Sequence, residues 1–264
     1  MFTTVVVPLD GSELSESALR PARAVASRLG ISMKLLTSSW GGATADSQGY
    51  LERVGTDLEF ADVTCVVIAD RFAATAITEA AEAESDPLIC MATHGRTGIG
   101  RALLGSTAEE VIRSVDGPVL LVGPKSEPLP DGGATELLIT VDGSETSASV
   151  VGLATDVAQT VGLAVVVTTV VEPGDAGTDD PAGAEAVAAS LRAAGLDARS
   201  EVLHGKDPAS AIAEFAHGRP APIICMATHG RGGLERTSLG SVAMKVVHQV
   251  TCPVLVVRPA SDEA

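Results

Sequence analysis

Short apolar runs alternate with amphipathic stretches along the whole chain, and the alternation is gone through twice. In the second half, 136–140 is a short apolar strand and 144–161 has helical periodicity, with Ser144 as a candidate N-cap and Gly162 as the stop. Residues 164–171 form a Val/Thr run without a polar face, the mark of a strand buried on both sides. An Ala-rich helix over 181–194 ends at Gly195, a strand follows over 198–203, and Pro208 opens a helix to about residue 216. A strand at 223–226, a helix at 241–250 and a strand at 254–257 complete the series. The first half predicts strands near 3–7, 34–38, 64–69, 88–91 and 119–122. Its first helix contains Pro21, which should kink it or delay its start, and 41–49 reads as loop. Strand–helix alternation of this kind predicts parallel strands joined by right-handed helical crossovers, an α/β fold.

The two halves are copies. Pro87-Leu88-Ile89-Cys90-Met91-Ala92-Thr93-His94-Gly95 returns as Pro222-Ile223-Ile224-Cys225-Met226-Ala227-Thr228-His229-Gly230. Across 87–122 and 222–257, 21 of 36 positions are identical, at an offset of 135. Asp10-Gly11-Ser12-Glu13 returns as Asp142-Gly143-Ser144-Glu145 at an offset of 132, so the first half is three residues shorter in its middle. A period of this length is a domain duplication rather than a solenoid repeat. Between the copies, Pro124, Pro128, Pro130, Gly132 and Gly133 interrupt any helix or strand. The reading is a first domain over 1–124, a linker over 125–134, a second domain over 135–259 and a tail over 260–264.

Composition narrows the function. Hydrophobic residues make up 45% of the 264 and aromatics only 2%, so Ala, Val and Leu must build the core. The formal charge of −16 and the lack of a basic stripe argue against nucleic acid as a partner. A phosphate ligand would have to be held against that field by local backbone donors and a few arginines. No apolar run is long enough for a membrane span, and the N-terminus enters a strand without a signal-like region. Cys65, Cys90, Cys225 and Cys252 form no close pair and read as reduced thiols of a cytoplasmic protein.

In an open parallel sheet, ligands bind beyond the carboxyl ends of the strands. Asp10 and Asp142 follow the first strands, and His94-Gly95 and His229-Gly230 follow the fourth. Each Gly-rich loop then reaches a Gly-Ser pair, Gly105-Ser106 or Gly240-Ser241, that opens a helix. A helix N-terminus offers unpaired N–H groups and partial positive charge to a phosphate. Gly105 would let the backbone approach a phosphate, and the Ser106 hydroxyl could donate. Four of the 18 basic side chains, Arg96, Arg101, Arg231 and Arg236, lie on these two loops. The aspartates have a second reading, as caps of turns made with Gly11 and Gly143. The histidines likewise can be structural, and no residue is assigned a catalytic role or a metal.

These motifs resemble the universal stress protein family in tandem form. Its ATP-binding members show Gly-x2-Gly-x9-Gly-(Ser/Thr) after the fourth strand and an Asp after the first. Here Gly95-x9-Gly105-Ser106 and Gly230-x9-Gly240-Ser241 fit, whereas Ala92 and Ala227 replace the first glycine in both halves. The resemblance implies two Rossmann-like domains, each a five-stranded parallel sheet of order 3-2-1-4-5 with helices on both faces, packed as an internal pseudo-dimer. It places Pro8, Leu9 and Asp10, Ser38 near adenine, and Met91, Ala92, His94, Gly95, Gly105, Ser106 and Thr107 around one nucleotide. The second set is Thr140, Val141, Asp142, Val170, Met226, Ala227, His229, Gly230, Gly240, Ser241 and Val242. Val170 offers an apolar wall where Ser38 does not, and Gly205-Lys206-Asp207 replaces Asp70-Arg71-Phe72, which favours the second site.

Several enzyme classes are excluded by their signatures. The chain has no P-loop and no dinucleotide-type Gly-x-Gly-x-x-Gly at the first helix, and neither His-x-Gly-His nor Ser-Gly-Gly-x-Asp-Ser occurs. The expectation is an ATP-binding regulatory stress-response protein, with Mg or Mn as the candidate companion ion, that holds the nucleotide rather than turning it over rapidly. The alternatives are a nucleotide-independent scaffold and a slow ATPase or phosphotransferase. The resemblance also implies that the apolar edge strands 119–122 and 254–257 meet, and it leaves room for a further homodimer. A separated second half should therefore dimerise; light scattering that shows a stable monomer would contradict this.

Overall fold

The computed structural model describes residues 1–94, 104–130, 132–172, 181–228 and 239–258. It divides into two compact units, Met1–Pro124 and Lys125–Ala264. The first contains β1 (Thr4–Pro8), α1 (Glu13–Glu16), α2 (Leu19–Leu29), β2 (Ser32–Ser39), α3 (Thr44–Asp57), β3 (Val63–Ala69), α4 (Ala73–Glu82), β4 (Pro87–Ala92), α5 (Ser106–Ser114) and β5 (Val119–Val122). The second contains β6 (Glu136–Thr140), α6 (Glu145–Ala148), α7 (Val150–Val161), β7 (Ala164–Val171), α8 (Pro181–Ala193), β8 (Ala198–His204), α9 (Pro208–His217), β9 (Pro222–Ala227), α10 (Ser241–Gln249) and β10 (Val254–Val257).

Within the first unit the strands run parallel in the order β3-β2-β1-β4-β5. The second repeats this as β8-β7-β6-β9-β10, also parallel. Each is thus a 3-2-1-4-5 sheet, as the resemblance implied. Val5, Val6 and Val7 of β1 are fully buried, as are Val165, Val166 and Val167 of β7. Burial of consecutive residues means that both sheet faces are covered, which explains the runs without a polar face. The chain leaves β1 towards β2 and leaves β4 towards β5, in opposite directions. The two connections part there, and the crevice lies between the carboxyl ends of β1 and β4.

The first helix corrects the proline reading. It is split into α1 and α2, with Pro21 in the first turn of α2. The second unit splits at the same place, into α6 and α7, without a proline. In both, a serine hydroxyl turns back to a carbonyl three residues earlier: Ser17 to Leu14 at 2.6 Å and Ser149 to Thr146 at 2.7 Å. Back-bonding of this kind competes with the helical ladder. The step therefore belongs to the fold, and Pro21 is accommodated by it.

The loop expected over 41–49 is also corrected. Only Gly41 and Gly42, both at positive φ, make a turn; α3 begins at Thr44 and includes Gly49. Tertiary packing overrides the weak local signal. Leu51 is fully buried, and a side chain at Gly55 would meet Val63, Cys65 and Leu35, so α3 lies close on β2 and β3. The single helix expected over 144–161 is likewise two, as just described.

The amino ends of the strands are closed by ion pairs. Glu136, which opens β6, is buried and accepts hydrogen bonds from Arg199 at 2.9 Å and from both Nε and Nη2 of Arg219, the latter at 2.6 Å. The Arg219 guanidinium also lies 4.7 Å over the Phe215 ring. In the first unit Glu84 plays the corresponding part, accepting from Thr4 at 2.9 Å and pairing with Lys34. Burial pushes the Glu136 carboxyl up, but hydrogen bonds and charge from Arg219 and Arg199 outweigh this and hold it below the usual carboxylate value. Hydrogen bonds from Lys34 and Thr4 lower Glu84 in the same way.

A folded-state pKa below the unfolded value means that the stabilisation is complete above about pH 4.3 and is lost as pH falls through the lowered folded value. Glu136→Gln should cost about 1–3 kcal/mol at neutral pH, because two guanidinium groups lose their charged acceptor. It should also flatten the acid limb of stability, measurable as denaturant midpoints between pH 3 and pH 7.

Candidate functional site

Both first-strand turns are built alike. Leu9 N–H donates to Leu36 O at 2.7 Å and Val141 N–H to Thr168 O at 2.9 Å, so each turn is still tied to the neighbouring strand. Pro8 and Thr140 are half-buried, while Leu9 and Val141 are buried beneath the turn. Asp10 Oδ1 accepts from the backbone N–H and the hydroxyl of Ser12, at 3.0 and 2.5 Å. Asp142 Oδ1 accepts from Ser144 in the same way, at 3.0 and 2.6 Å. The serine hydroxyls then cap the following helices through Ser15 N–H and Ser147 N–H. Gly11 and Gly143 hold φ near +80°, which only a glycine adopts without strain. The turn-capping role of both aspartates is thus real. Asp10 is exposed and Asp142 half-buried at the mouth of the crevice.

The fourth strands bring the second group. Val6 of β1 pairs with Ile89 of β4, so Asp10 and Thr93 each lie four residues beyond a shared pair. Ile139 pairs with Cys225, and Asp142 and Thr228 each follow by three. Met91 and Met226 are buried, Ala92 is half-buried and Ala227 buried. Thr93 N–H donates to Val122 O at 3.0 Å, and Thr228 N–H to Val257 O at 2.9 Å. Thr93 Oγ1 lies 3.0 Å from His94 Nδ1, and both side chains are buried. A buried His94 bonded to its neighbour is a positioned group, in keeping with the structural reading. Gly95, His229, Gly230, Arg96, Arg101, Arg231 and Arg236 lie outside the described residues.

Gly105 and Gly240 also have a task in the fold itself. Gly105 N–H donates to Thr93 O at 2.9 Å and Gly240 N–H to Thr228 O at 2.6 Å. A Cβ on Gly105 would stand 2.7 Å from Thr93 O and 3.6 Å from His94 Cα. Glycine is required here for contact with the strand exit, and its N–H is already engaged. What remains for an anion is the first turn beyond it. Gly105 O and Gly240 O accept from Glu109 N–H and Met244 N–H, each at 2.9 Å, and neither glycine caps its helix with a side chain. The N–H groups of the next three residues thus have no partner within the helix. Ser106 and Ser241 are exposed at this position, Thr107 is half-buried and Val242 exposed.

The two helix starts differ in charge, a feature that the sequence reading missed. Glu109 sits in the first turn of α5, whereas α10 has no acidic residue there. Glu109 and Glu110 align with Met244 and Lys245 at the 135-residue offset, so the signal was in the repeat itself. Lys245 Nζ pairs with Asp207 at 3.1 Å, on the turn before α9.

Three aromatic residues were also missed. The Tyr50 hydroxyl on α3 donates to Glu16 Oε1 at 2.8 Å. Burial, then the Glu16 bond and charge and the Asp10 charge, push its phenol well up, offset in part by a hydrogen bond from Gly11. Tyr50 thereby fastens α3 to the Asp10 turn. Trp40 and Phe72 follow β2 and β3, with ring centroids 5.5 Å apart. Ser38, two residues before Trp40, and its counterpart Val170 are both half-buried.

Tandem, doubly wound α/β units with a crevice at the point where the connections diverge define the class. The universal stress protein family model matches residues 1–123 and again residues 135–258. The chain belongs to the universal stress protein family. A 69-residue stretch is 46% identical to universal stress protein MJ0531 of Methanocaldococcus jannaschii, covering 26% of this chain and 40% of that protein. A universal stress protein of Mycolicibacterium smegmatis is 30% identical over 188 residues, covering 67% of this chain and 63% of that one. The chain thus spans less than two thirds of the length of either relative. The crystal structure of a universal stress protein from Archaeoglobus fulgidus has the same fold, with a TM-score of 0.75 at 23% identity, covering 98% of this chain and 97% of that one.

The glycine contact is directly testable. Gly105→Ala should cost about 1–3 kcal/mol by forcing strand exit and helix start apart. Gly132→Ala, where a Cβ meets nothing within 4 Å, should leave the thermal midpoint nearly unchanged.

Proposed function

We propose that this protein is a regulatory adenine-nucleotide binder in which the second unit holds ATP as a signal. The observation that supports this most is the start of α10. Gly240 fixes it against the end of β9 and brings no side-chain cap of its own, and the first turn carries no acidic residue. Such a helix end favours an anion by about 0.3–1 kcal/mol per charge through its dipole alone. In a chain of charge −16 that local field has to be kept clear of carboxylates. Met226, Ala227 and Val141 supply the buried floor.

The setting of Asp142 supports slow turnover. Its Oδ1 is engaged by two donors of Ser144, so it serves as a turn anchor, and a general base needs a carboxylate aimed at the reacting proton. A divalent ion fits as a companion of the ligand's phosphates with Asp142 as a nearby carboxylate, since magnesium is commonly shared between one or two carboxylates and substrate phosphate. Among the described residues no group of three His, Cys, Asp or Glu side chains comes together that could hold one. No helix among them is long and apolar enough to cross a membrane, and the four cysteines are free, which suits a reducing cytoplasm.

Calorimetry with ATP tests the reading. The intact protein should bind ATP and leave it unhydrolysed over prolonged incubation. Met244→Glu with Lys245→Glu, which imports the charges of the first unit, should weaken binding about 3- to 30-fold. Folded protein that ignores millimolar ATP would sink the proposal, and steady phosphate release would replace it by the ATPase alternative.

A further inference from the structure

With four Phe, one Trp and one Tyr in 264 residues, the placement of each aromatic ring is informative. Phe2 is buried, Phe215 lies under a guanidinium and Tyr50 is hydrogen-bonded to Glu16. Trp40 and Phe72, by contrast, remain 54% and 74% exposed and touch each other with an interplanar angle of 59°. Their meeting is built in. Asp70 N–H donates to Ser39 O at 2.8 Å, tying the ends of β2 and β3 together, and Asp70 takes a left-handed φ of 55° to do so. Trp40 follows Ser39 directly, and Phe72 lies two residues beyond Asp70. The pair stands at the carboxyl end of the sheet, the end that carries Asp10, Ala92 and Gly105. Beside it the Ser39 hydroxyl is buried and has no hydrogen-bond partner.

Among its described residues the second unit has nothing like it. Ser39 pairs with Ala69 as Val171 pairs with His204, so the counterparts of Trp40 and Phe72 are Glu172 and Asp207. Asp207 is held by Lys245 and Ser210. The contrast reverses at the other end of the crevice, where the first unit has Glu109 and Glu110 and the second Met244 and Lys245. One site therefore offers ring surface at one end and carboxylates at the other, and the second site offers a first helical turn free of carboxylates and no such ring pair.

We propose that Trp40 and Phe72 form a base-binding wall, and that the first unit takes a ligand rich in base and poor in phosphate, a nucleoside or nucleoside monophosphate. A planar base stacks on one face of the tilted pair while the second ring closes its edge. Glu109 and Glu110 disfavour a polyphosphate there through like charge at the helix start. The inference rests on the reading that these crevices take nucleotides, and it divides the two by ligand class.

Trp40 is the only tryptophan, so its emission reports this location alone. Titration of the full-length protein with adenosine should change that emission saturably, with higher affinity than ATP shows in the same signal. Phe72→Ala should weaken adenosine about 5- to 100-fold, the range expected for one stacked base. Because both rings are exposed, the thermal midpoint should not move. In calorimetry Trp40→Ala should lose the adenosine heat and keep the ATP heat that Met244→Glu with Lys245→Glu weakens. Emission that ignores adenosine, or that follows ATP more tightly, overturns the proposal. If the ATP heat persists in that case, only the base wall has failed; if it is absent too, the nucleotide reading falls with it.

Discussion

The contact on which the site depends is a backbone hydrogen bond between a glycine and a strand-end threonine. Gly105 N–H reaches Thr93 O at 2.9 Å and Gly240 N–H reaches Thr228 O at 2.6 Å, and at Gly105 no Cβ fits. The same threonines donate to the last strand through Val122 and Val257. Strand exit, helix start and neighbouring strand are thus locked in one chain of peptide groups. A helix N-terminus attracts an anion only within its first turn. Its usefulness therefore depends on being held at the mouth of the crevice, and this contact holds it there. The glycine thus acts on the protein's own backbone.

Given that frame, duplication has left the scaffold alone and changed what surrounds it. The Asp–Ser turn, the serine that steps the first helix and the Gly–Thr contact are reproduced almost atom for atom in both units. The positions that differ are the ones that do not carry backbone geometry: Trp40 and Glu172, Phe72 and Asp207, Glu109 and Met244, Glu110 and Lys245. Identity within the motif run therefore says little about whether the two crevices behave alike. The side chains at their rims differ, in ring surface at one end and in charge at the other.

Much of this was legible in the sequence because it rests on local chemistry. Uninterrupted Val runs declared buried parallel strands, and glycines at residues 11, 105, 143 and 240 marked backbone positions with special demands. What escaped depends on contacts between distant residues. The start of α3 is hidden by Gly41, Gly42 and Gly49, and only the packing of Leu51 and the Tyr50–Glu16 bond reveal it. Trp40 and Phe72 are 32 residues apart and meet only because β2 and β3 pair in register to Ser39 and Ala69. The glycine-to-threonine contact escaped for a related reason. A glycine before a helix looks the same in sequence whether it makes room for a ligand or for a neighbouring carbonyl.

A parallel sheet gives each unit two chemically different ends, and this chain treats them oppositely. At the amino ends polar groups are closed against one another: Glu136 between Arg199 and Arg219, and Glu84 between Lys34 and Thr4. Buried charge without such partners is costly, so these clusters are fixed by the requirement to fold. At the carboxyl ends helices α5 and α10 begin at glycines that bring no side-chain cap, and an aromatic pair is left exposed. Ring surface left to solvent forgoes the stability of burial, and binding to the folded state alone adds stability by mass action. Because the two ends are separate, substitutions that tune the crevice need not disturb the ion pairs that hold the strands. That separation is the physical condition under which one fold, copied twice, can come to hold two different ligands.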